Sequence, residues 1–165
     1  MEFKFTEENI KRIEETVKKY PVKKAAVMPV LYIAQEQNGW ISQEVIKEVS
    51  SILEMTAEVV LGVVTFYTMY HQKPAGKYHL QVCTNVSCML RGAYEIYDHV
   101  KDKLQIKNGE VTNDHLFSLE EVECMGSCGT APMIAVNEDF FENLDVQKVD
   151  QILESFGNAS LRENK

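Results

Sequence analysis

The four cysteines are the residues of this sequence best suited to chemistry, because they fall into two closely spaced pairs. Cys83 and Cys88 form a C-x4-C pair, and 35 residues separate it from the C-x3-C pair of Cys124 and Cys128. Thiolates are ligands for zinc and for iron–sulphur clusters. Two chelating pairs on loops at neighbouring strand ends can bring four sulphur atoms round one centre. The spacing therefore predicts a metal or iron–sulphur site whose candidate ligands are these four cysteines.

Spacing alone leaves three interpretations of the cysteine pairs open. A 2Fe-2S cluster takes four thiolates and is the favoured interpretation. A structural zinc site also takes four, but its paired cysteines usually lie in tight turns, whereas Cys88 opens a long predicted helix. Redox-active or inert buried thiols are the third possibility, although the C-x-x-C motif of thioredoxin-type dithiols is absent.

The residues around the second pair favour a cluster further. The segment from Cys124 to Pro132 reads Cys-Met-Gly-Ser-Cys-Gly-Thr-Ala-Pro. Glycine lets the backbone approach closely, so amide N–H groups can point at cluster sulphurs and tune the reduction potential. The helix after Cys88 would add the positive end of its dipole. A plain turn would explain the glycines but not the two flanking cysteines.

Other polar residues are weaker candidates. The four histidines have no spacing that would replace a cysteine pair, so a Rieske-type site is disfavoured. Arg91 could screen cluster charge, although an exposed helix position is the simpler account. Glu120, Glu121 and Glu123 could lower the potential, but a solvated strand edge explains them. Because the sequence contains no G-x-G-x-x-G or Walker motif, we predict no nucleotide site, flavin site or catalytic residue on this chain.

The elements that must position the cysteines change character at about residue 75. The first 70 residues predict four helices that pack as a small bundle. Thr6, Ser42 and Thr56 each precede a stripe of apolar residues at helical spacing and can cap a helix. Residues 25–37 are apolar on nearly every face, which predicts a buried central helix that ends at Asn38-Gly39.

The second half of the sequence predicts an α/β sandwich. Residues 78–83 alternate as in a strand, and a helix then runs through residue 104 until Asn108-Gly109 closes it. Residues 116–124 and 133–136 predict two more strands, residues 146–156 predict a last helix, and the tail from Gly157 is expected to be frayed. We therefore predict a helical domain over residues 1–75 and an α/β domain over residues 76–165.

Charge and hydropathy narrow the classes of partner. The net charge is −8, and residues 76–165 contribute −7 of it, from 8 basic and 15 acidic side chains. Nucleic-acid binding needs a basic surface, so we expect no nucleic-acid partner. The N-terminus lacks the pattern of a signal peptide, and the longest nearly apolar stretch has 12 residues against the roughly 20 needed to cross a bilayer. We expect a cytoplasmic protein without direct membrane insertion, in which thiols stay reduced and a disulfide framework is disfavoured.

Several segments resemble one known family, the E subunits of bacterial NADH:quinone oxidoreductase, which are similar to the mitochondrial 24 kDa subunit. The similar segments are the cysteine spacing, Thr65–Thr68, Gly76–Cys83, Val122–Pro132 and Val136-Asn137. The resemblance spans nearly the whole chain. Met125 stands where the family usually has Leu, and Ser127 where it often has Ala, and neither is expected to affect cluster ligation.

The resemblance implies an N-terminal helical domain followed by a thioredoxin-like ferredoxin domain that holds one 2Fe-2S cluster on Cys83, Cys88, Cys124 and Cys128. It also implies a larger flavoprotein partner, of the type called the F subunits, which carries FMN, the NADH site and another cluster. The chain would then be an electron-transfer subunit of an NADH dehydrogenase, within a respiratory complex peripheral to the inner membrane. Small subunits of NAD-linked hydrogenases and formate dehydrogenases are similar too. The identity of the parent complex therefore stays open. A second alternative is an assembly module in which a zinc ion, bound by the four cysteines, stabilises the fold.

Overall fold

The chain consists of two compact units, Met1–Pro74 and Ala75–Lys165. The structure, a computed structural model, describes residues 2–163, with side chains to residue 160. Each unit has a hydrophobic core of its own. The first unit is helical and the second mixes strands and helices, which confirms the predicted α/β fold class with an N-terminal helical part.

The first unit is built from the four helices that the sequence predicts. Within residues 2–74 they are α1 Glu7–Val17, α2 Val27–Asn38, α3 Gln43–Leu53 and α4 Ala57–Phe66, with a 3-10 turn at Lys23–Ala26 before α2. The Thr6 and Ser42 side chains accept hydrogen bonds from the first turns of α1 and α3, as N-caps do. Gly39 ends α2 in the left-handed region, with φ 81°. Thr56 precedes α4 without a side-chain cap bond.

The helices of this unit are short and bury one shared core. Val30 and Leu31 of α2, Val45 and Val49 of α3, and Val60 of α4 are fully enclosed. Within residues 2–163 no single helix is long and apolar enough to cross a membrane. Taken together α3 and α4 reach the required length and hydropathy, but they meet at an angle of 119°.

The second unit has one more strand and one more helix than the sequence predicts. Its described elements are β1 Tyr78–Cys83, α5 Val86–Leu90, α6 Ala93–Leu104, β2 Phe117–Val122, β3 Ile134–Val136, β4 Asp139–Phe141 and α7 Val146–Glu163. The predicted long helix after β1 is broken into α5 and α6 at Gly92, which has φ 91°. The frayed tail predicted from Gly157 is wrong up to residue 163, because α7 continues to Glu163. The remainder of that predicted tail, residues 164–165, lies outside the described residues.

The sheet topology decides where the cysteine loops lie. The strand order is β2-β1-β3-β4, in which β1 and β2 are parallel and β3 is antiparallel to both β1 and β4. The register pairs Tyr78 with Phe117 at one end and Cys83 with Val122 at the other. Because parallel strands end at the same edge of a sheet, the loops that carry the two cysteine pairs leave from neighbouring positions.

At the opposite edge, the start of β1 passes unusually close to β2. A Cβ atom built on Gly76 would lie 2.4 Å from the carbonyl carbon of Phe117 and 2.7 Å from the Ser118 nitrogen. The Gly76 N–H also donates to the Ser118 hydroxyl at 3.0 Å. The sequence predicts a turn at Gly76, whereas the structure shows that the absence of a side chain lets β1 and β2 meet.

Candidate metal centre

All four predicted ligands lie at or just beyond the edge of the sheet where β1 and β2 end. Cys83 is the last residue of β1, and Cys88 lies in α5 five residues later. Cys124 follows the end of β2, and Cys128 begins a short 3-10 turn, Cys128–Thr130, before β3. None of the four is in a disulfide. The fold therefore brings together residues that are up to 45 positions apart in the sequence.

The sulphur atoms approach each other as two pairs. The Sγ atoms of Cys124 and Cys128 are 3.3 Å apart, and the Cys88 thiol is hydrogen-bonded with the Cys83 thiol. Thiolates on one tetrahedral metal ion at about 2.3 Å would be about 3.8 Å apart, so Cys124 and Cys128 are close to chelating distance. Among residues 2–163, no three His, Cys, Asp or Glu side chains converge on the position of a single ion.

The two pairs differ in burial. Cys83 and Cys88 are each 2% exposed and pack with Ala93, Ala131 and Met133, while Cys124 and Cys128 are exposed. Burial, followed by the neighbouring Cys83 thiol, raises the pKa of Cys88 to about 11. The site therefore has a buried apolar side and a side that opens to solvent.

Backbone amides point at two of the sulphurs, as the glycines of the second pair predict. The Gly126 N–H, followed by the Cys128 thiol, lowers the pKa of Cys124 because hydrogen bonds stabilise its thiolate. Gly126 has φ 93°, a conformation that side chains disfavour, so glycine suits this position. The Met133 N–H bonds to the Cys88 sulphur in the same way. The neighbouring Cys124 thiol raises the pKa of Cys128.

Side chains beside the cysteines tie the first loop to the end of β2. The Thr84 hydroxyl donates to the Glu121 carboxylate at 2.8 Å, and the Asn85 amide donates to Glu123. Asn85 also accepts from the Val86 N–H at the start of α5. Two of the three acidic residues that we expected to form only a solvated strand edge, Glu121 and Glu123, therefore hold the first cysteine loop against the end of β2.

Two further contacts join α5 to the second loop. Ser87 is hydrogen-bonded to the Cys128 thiol, and a guanidinium nitrogen of Arg91 donates to the Ala131 carbonyl at 3.2 Å. Arg91 therefore links the two loops and also brings a positive charge to the site. Sequence reasoning missed Thr84, Asn85 and Ser87, and their only signal is a run of short polar residues between two cysteines.

Two histidines of the second unit have partners away from the four cysteines. His79 is buried between β1 and β2, with Nδ1 2.8 Å from the Ser118 hydroxyl and Nε2 3.0 Å from the Glu120 carboxylate. His99 lies 2.7 Å from Asp150 between α6 and α7. Both rings are engaged in contacts within the fold.

The donor set fits an iron–sulphur cluster. Four unbridged thiols in two pairs, with amide N–H groups aimed at sulphur and a buried apolar side, match the chemistry that such clusters require. An α/β unit with two pairs of thiols at one edge of its sheet is the arrangement of a small ferredoxin-like protein, in which cysteines are the candidate ligands. The profile described as "Thioredoxin-like [2Fe-2S] ferredoxin" matches residues 13–157, and the chain belongs to this family.

The chain is also similar over nearly its full length to proteins named as E subunits of NADH-quinone oxidoreductase. It is 43% identical over 159 residues to the E subunit of Rickettsia bellii (strain RML369-C), in a match that covers 94% of this chain and 95% of the relative. It is 43% identical over 147 residues to an E subunit of Rhizobium meliloti (strain 1021), in a match that covers 89% of this chain and 88% of the relative. These similarities confirm the resemblance seen in the sequence.

A solved structure shares the fold. The crystal structure of an NAD+-reducing [NiFe]-hydrogenase in the air-oxidized state superposes with a TM-score of 0.71 and 19% identity, over 81% of this chain. The chain spans 23% of the length of that hydrogenase chain. At this identity the likeness is evidence for the fold alone.

Proposed function

We propose that this chain is the E-type electron-transfer subunit of an NADH-quinone oxidoreductase and that Cys83, Cys88, Cys124 and Cys128 hold one 2Fe-2S cluster. The observation that carries the proposal is the placement of two pairs of free thiols at or just beyond the adjacent ends of β1 and β2. The 43% identity to the E subunit of Rickettsia bellii, over 94% of the chain, supports the choice of parent complex.

A bound 2Fe-2S cluster supplies one-electron redox chemistry. The chain's own residues supply the thiolate ligands and exclude water on the buried side, where Cys83 and Cys88 pack against Met133. The N–H groups of Gly126 and Met133 donate to sulphur, which stabilises negative charge there.

The charge of the second unit favours a low reduction potential. Residues 76–165 carry a net charge of −7 before any cluster charge is added. An added electron is disfavoured in a negative field. The amide N–H groups and Arg91 offset part of this field near the sulphurs. We therefore propose a low-potential one-electron carrier.

The proposed partner is the FMN- and NADH-binding flavoprotein of the same complex, because this chain shows no flavin or nucleotide motif of its own. The exposed Cys124 and Cys128 give the site an open side at which another redox protein can approach. We propose that the assembly is cytoplasmic and peripheral to the inner membrane. The second candidate is a small subunit of an NAD-linked hydrogenase, which the sequence also resembles and with which the fold shared with an NAD+-reducing hydrogenase is compatible.

Metal analysis tests the cofactor. Protein purified without oxygen should be red-brown, contain two iron and two sulphide per chain, and give an EPR signal when dithionite reduces it. Colourless protein with stoichiometric zinc and no iron would refute the cluster and favour the zinc-bound assembly module.

Single substitutions test the ligands. Cys88→Ser and Cys128→Ser should lose most of the iron, because a hydroxyl is a poorer iron ligand than a thiolate. The control is Val86→Ser, which places serine at an exposed position of the same short helix as Cys88 and should keep full iron content. Unchanged iron and an unchanged visible spectrum in either cysteine variant would contradict the assignment.

Co-purification tests the parent complex. Native chain isolated from its own cells should bring down an FMN-containing flavoprotein together with the other subunits of a quinone reductase. Recovery with nickel–iron hydrogenase subunits instead would favour the second candidate.

A further inference from the structure

The strand that the sequence does not predict, β4, carries a carboxylate back to the cysteine site. β4 pairs antiparallel with β3, and Phe141 lies opposite Ile134. Glu142, the next residue, is therefore returned to the edge where the second cysteine loop enters β3. The Glu142 carboxylate accepts a hydrogen bond from the Thr130 hydroxyl at 2.6 Å, and it is also hydrogen-bonded to the Ser127 hydroxyl.

The two hydroxyl partners flank one predicted ligand. Ser127 precedes Cys128, and Thr130 closes the three-residue 3-10 turn that Cys128 begins. The turn has one backbone hydrogen bond of its own, from the Thr130 N–H to the Ser127 carbonyl at 3.1 Å. Such short turns have little stability by themselves. A single carboxylate that is hydrogen-bonded to residues at both ends of the turn therefore restricts the position of the Cys128 sulphur.

Backbone hydrogen bonds also hold the segment after β4 against the turn. The Asn143 N–H donates to the Thr130 carbonyl at 2.7 Å, and the Leu144 N–H donates to the Pro132 carbonyl at 3.1 Å. The segment after β4 thus lies along the turn over several residues. The hydroxyl groups of Thr130 and Ser127 lower the pKa of Glu142, so the acceptor is a charged carboxylate at neutral pH and its hydrogen bonds are stronger than neutral ones.

We propose that Glu142 is a positioning residue for the cluster, acting through Thr130 and Ser127 to hold the turn that presents the Cys128 sulphur. The inference rests on the proposed function, since it concerns retention of the proposed cluster. Residues that orient a metal ligand without touching the metal typically contribute about 10- to 100-fold in metal affinity. The role of Glu142 is therefore measurable as the rate at which the holo-protein releases iron.

The test compares iron release to a ferrous chelator after reduction of the holo-protein. Glu142→Ala removes the acceptor, and Thr130→Val removes a donor while the carboxylate stays. Both should release iron at least about tenfold faster than the wild type. Glu142→Gln keeps an acceptor oxygen and should fall between them and the wild type. Glu138→Gln makes the same charge change at an exposed position in the turn between β3 and β4, at the other end of the hairpin, and should behave as the wild type.

The reduction potential and the thermal midpoint distinguish a positioning role of Glu142 from an effect of its charge and from an effect on the stability of the fold. The reduction potential should rise in Glu142→Gln, which loses a negative charge, and should change little in Thr130→Val, which retains it. The thermal midpoint of the cluster-free protein should be nearly the same in Thr130→Val and wild type, because the turn is local. A Thr130→Val protein with wild-type iron release would overturn the positioning role. Faster iron release by Thr130→Val that is accompanied by a matching fall in its thermal midpoint would overturn the positioning role too.

The outcome also distinguishes this inference from the proposed function. A wild-type chain that assembles no iron–sulphur cluster refutes the proposed function, and the positioning role is refuted with it. A wild-type chain that assembles the cluster, with variants that release iron at the wild-type rate, refutes the positioning role of Glu142 alone.

Discussion

Replacing Gly76 with alanine tests the close approach of the backbone before β1 to the backbone of β2. The added Cβ atom would lie 2.4 Å from the Phe117 carbonyl carbon and 2.8 Å from its oxygen. Carbon atoms in good contact are about 3.5 Å apart, so the strand starts must separate by roughly 1 Å. Both obstructing atoms belong to the backbone of β2 and not to a side chain that could rotate away. We expect β1 and β2 to part at this end.

Two losses set the size of the effect. The Gly76 N–H would lose its 3.0 Å hydrogen bond to the Ser118 hydroxyl, which is worth about 1 kcal/mol. Overpacking of a rigid region costs about 1–3 kcal/mol more. We therefore expect Gly76→Ala to lower the free energy of unfolding of the second unit by about 3 kcal/mol. In a unit of 91 residues this corresponds to a fall in thermal midpoint of roughly 12–24 °C.

Urea unfolding and calorimetry of the full chain would measure the change. The matched control is Gly157→Ala, the same substitution inside α7, where a Cβ atom would meet nothing within 4 Å. It should stabilise the same unit by about 0.5–1 kcal/mol, because alanine is the better helix former. If Gly76→Ala changed the thermal midpoint by less than about 4 °C, the close approach of β1 and β2 would not be the reason for glycine at this position.

Three further substitutions test contacts in the second unit. Ser118→Ala removes a buried hydroxyl that is hydrogen-bonded to β1 and should cost about 1–3 kcal/mol in urea unfolding. Arg91→Gln keeps a donor for the Ala131 carbonyl but removes a positive charge, so a potentiometric titration of the holo-protein should give a lower reduction potential. The pKa of Asp150 is lowered, most of all by the hydrogen bond from Lys103. The Asp150 carboxylate therefore stabilises the fold at pH values above its ordinary pKa of about 4, and this stabilisation is lost as the pH falls through the lowered pKa. Asp150→Asn should therefore lower the thermal midpoint at pH 7 but not at strongly acidic pH.

Each of these predictions has a contradicting result. Wild-type stability of Ser118→Ala would mean that the hydroxyl contributes nothing to strand pairing. A higher reduction potential in Arg91→Gln would have the wrong sign for loss of a positive charge. If the difference in thermal midpoint between Asp150→Asn and wild type did not shrink as the pH fell, the effect of the carboxylate on stability would not come from its charge.

Much of the molecule follows from patterns within short stretches of sequence. The N-caps at Thr6 and Ser42 and the apolar stripes behind them identify α1 and α3, because capping and helical periodicity act within a few residues. The cysteine spacing and its glycines identify the four candidate ligands and the family. Gly126 behaves as the sequence predicts, since its N–H is directed at the Cys124 sulphur.

Other features are invisible to such patterns. The strand β4 has three residues and no alternation, so it forms only because β3 is there to pair with it. The break at Gly92 divides an apolar stripe that the sequence predicts as one helix, because Gly92 has φ 91° and so leaves the right-handed helical conformation.

The sequence by itself predicted the four candidate ligands, the helices of the first unit and the family, because these depend on the chemistry of single residues and on contacts between near neighbours. Only the tertiary structure decided which residues support the ligands. Arg91 meets the Ala131 carbonyl in a sheet where β1 lies beside β3. Glu142 meets the Thr130 hydroxyl because β4 pairs with β3. Strand order and register join residues far apart in the chain, and no local propensity encodes which of them will meet.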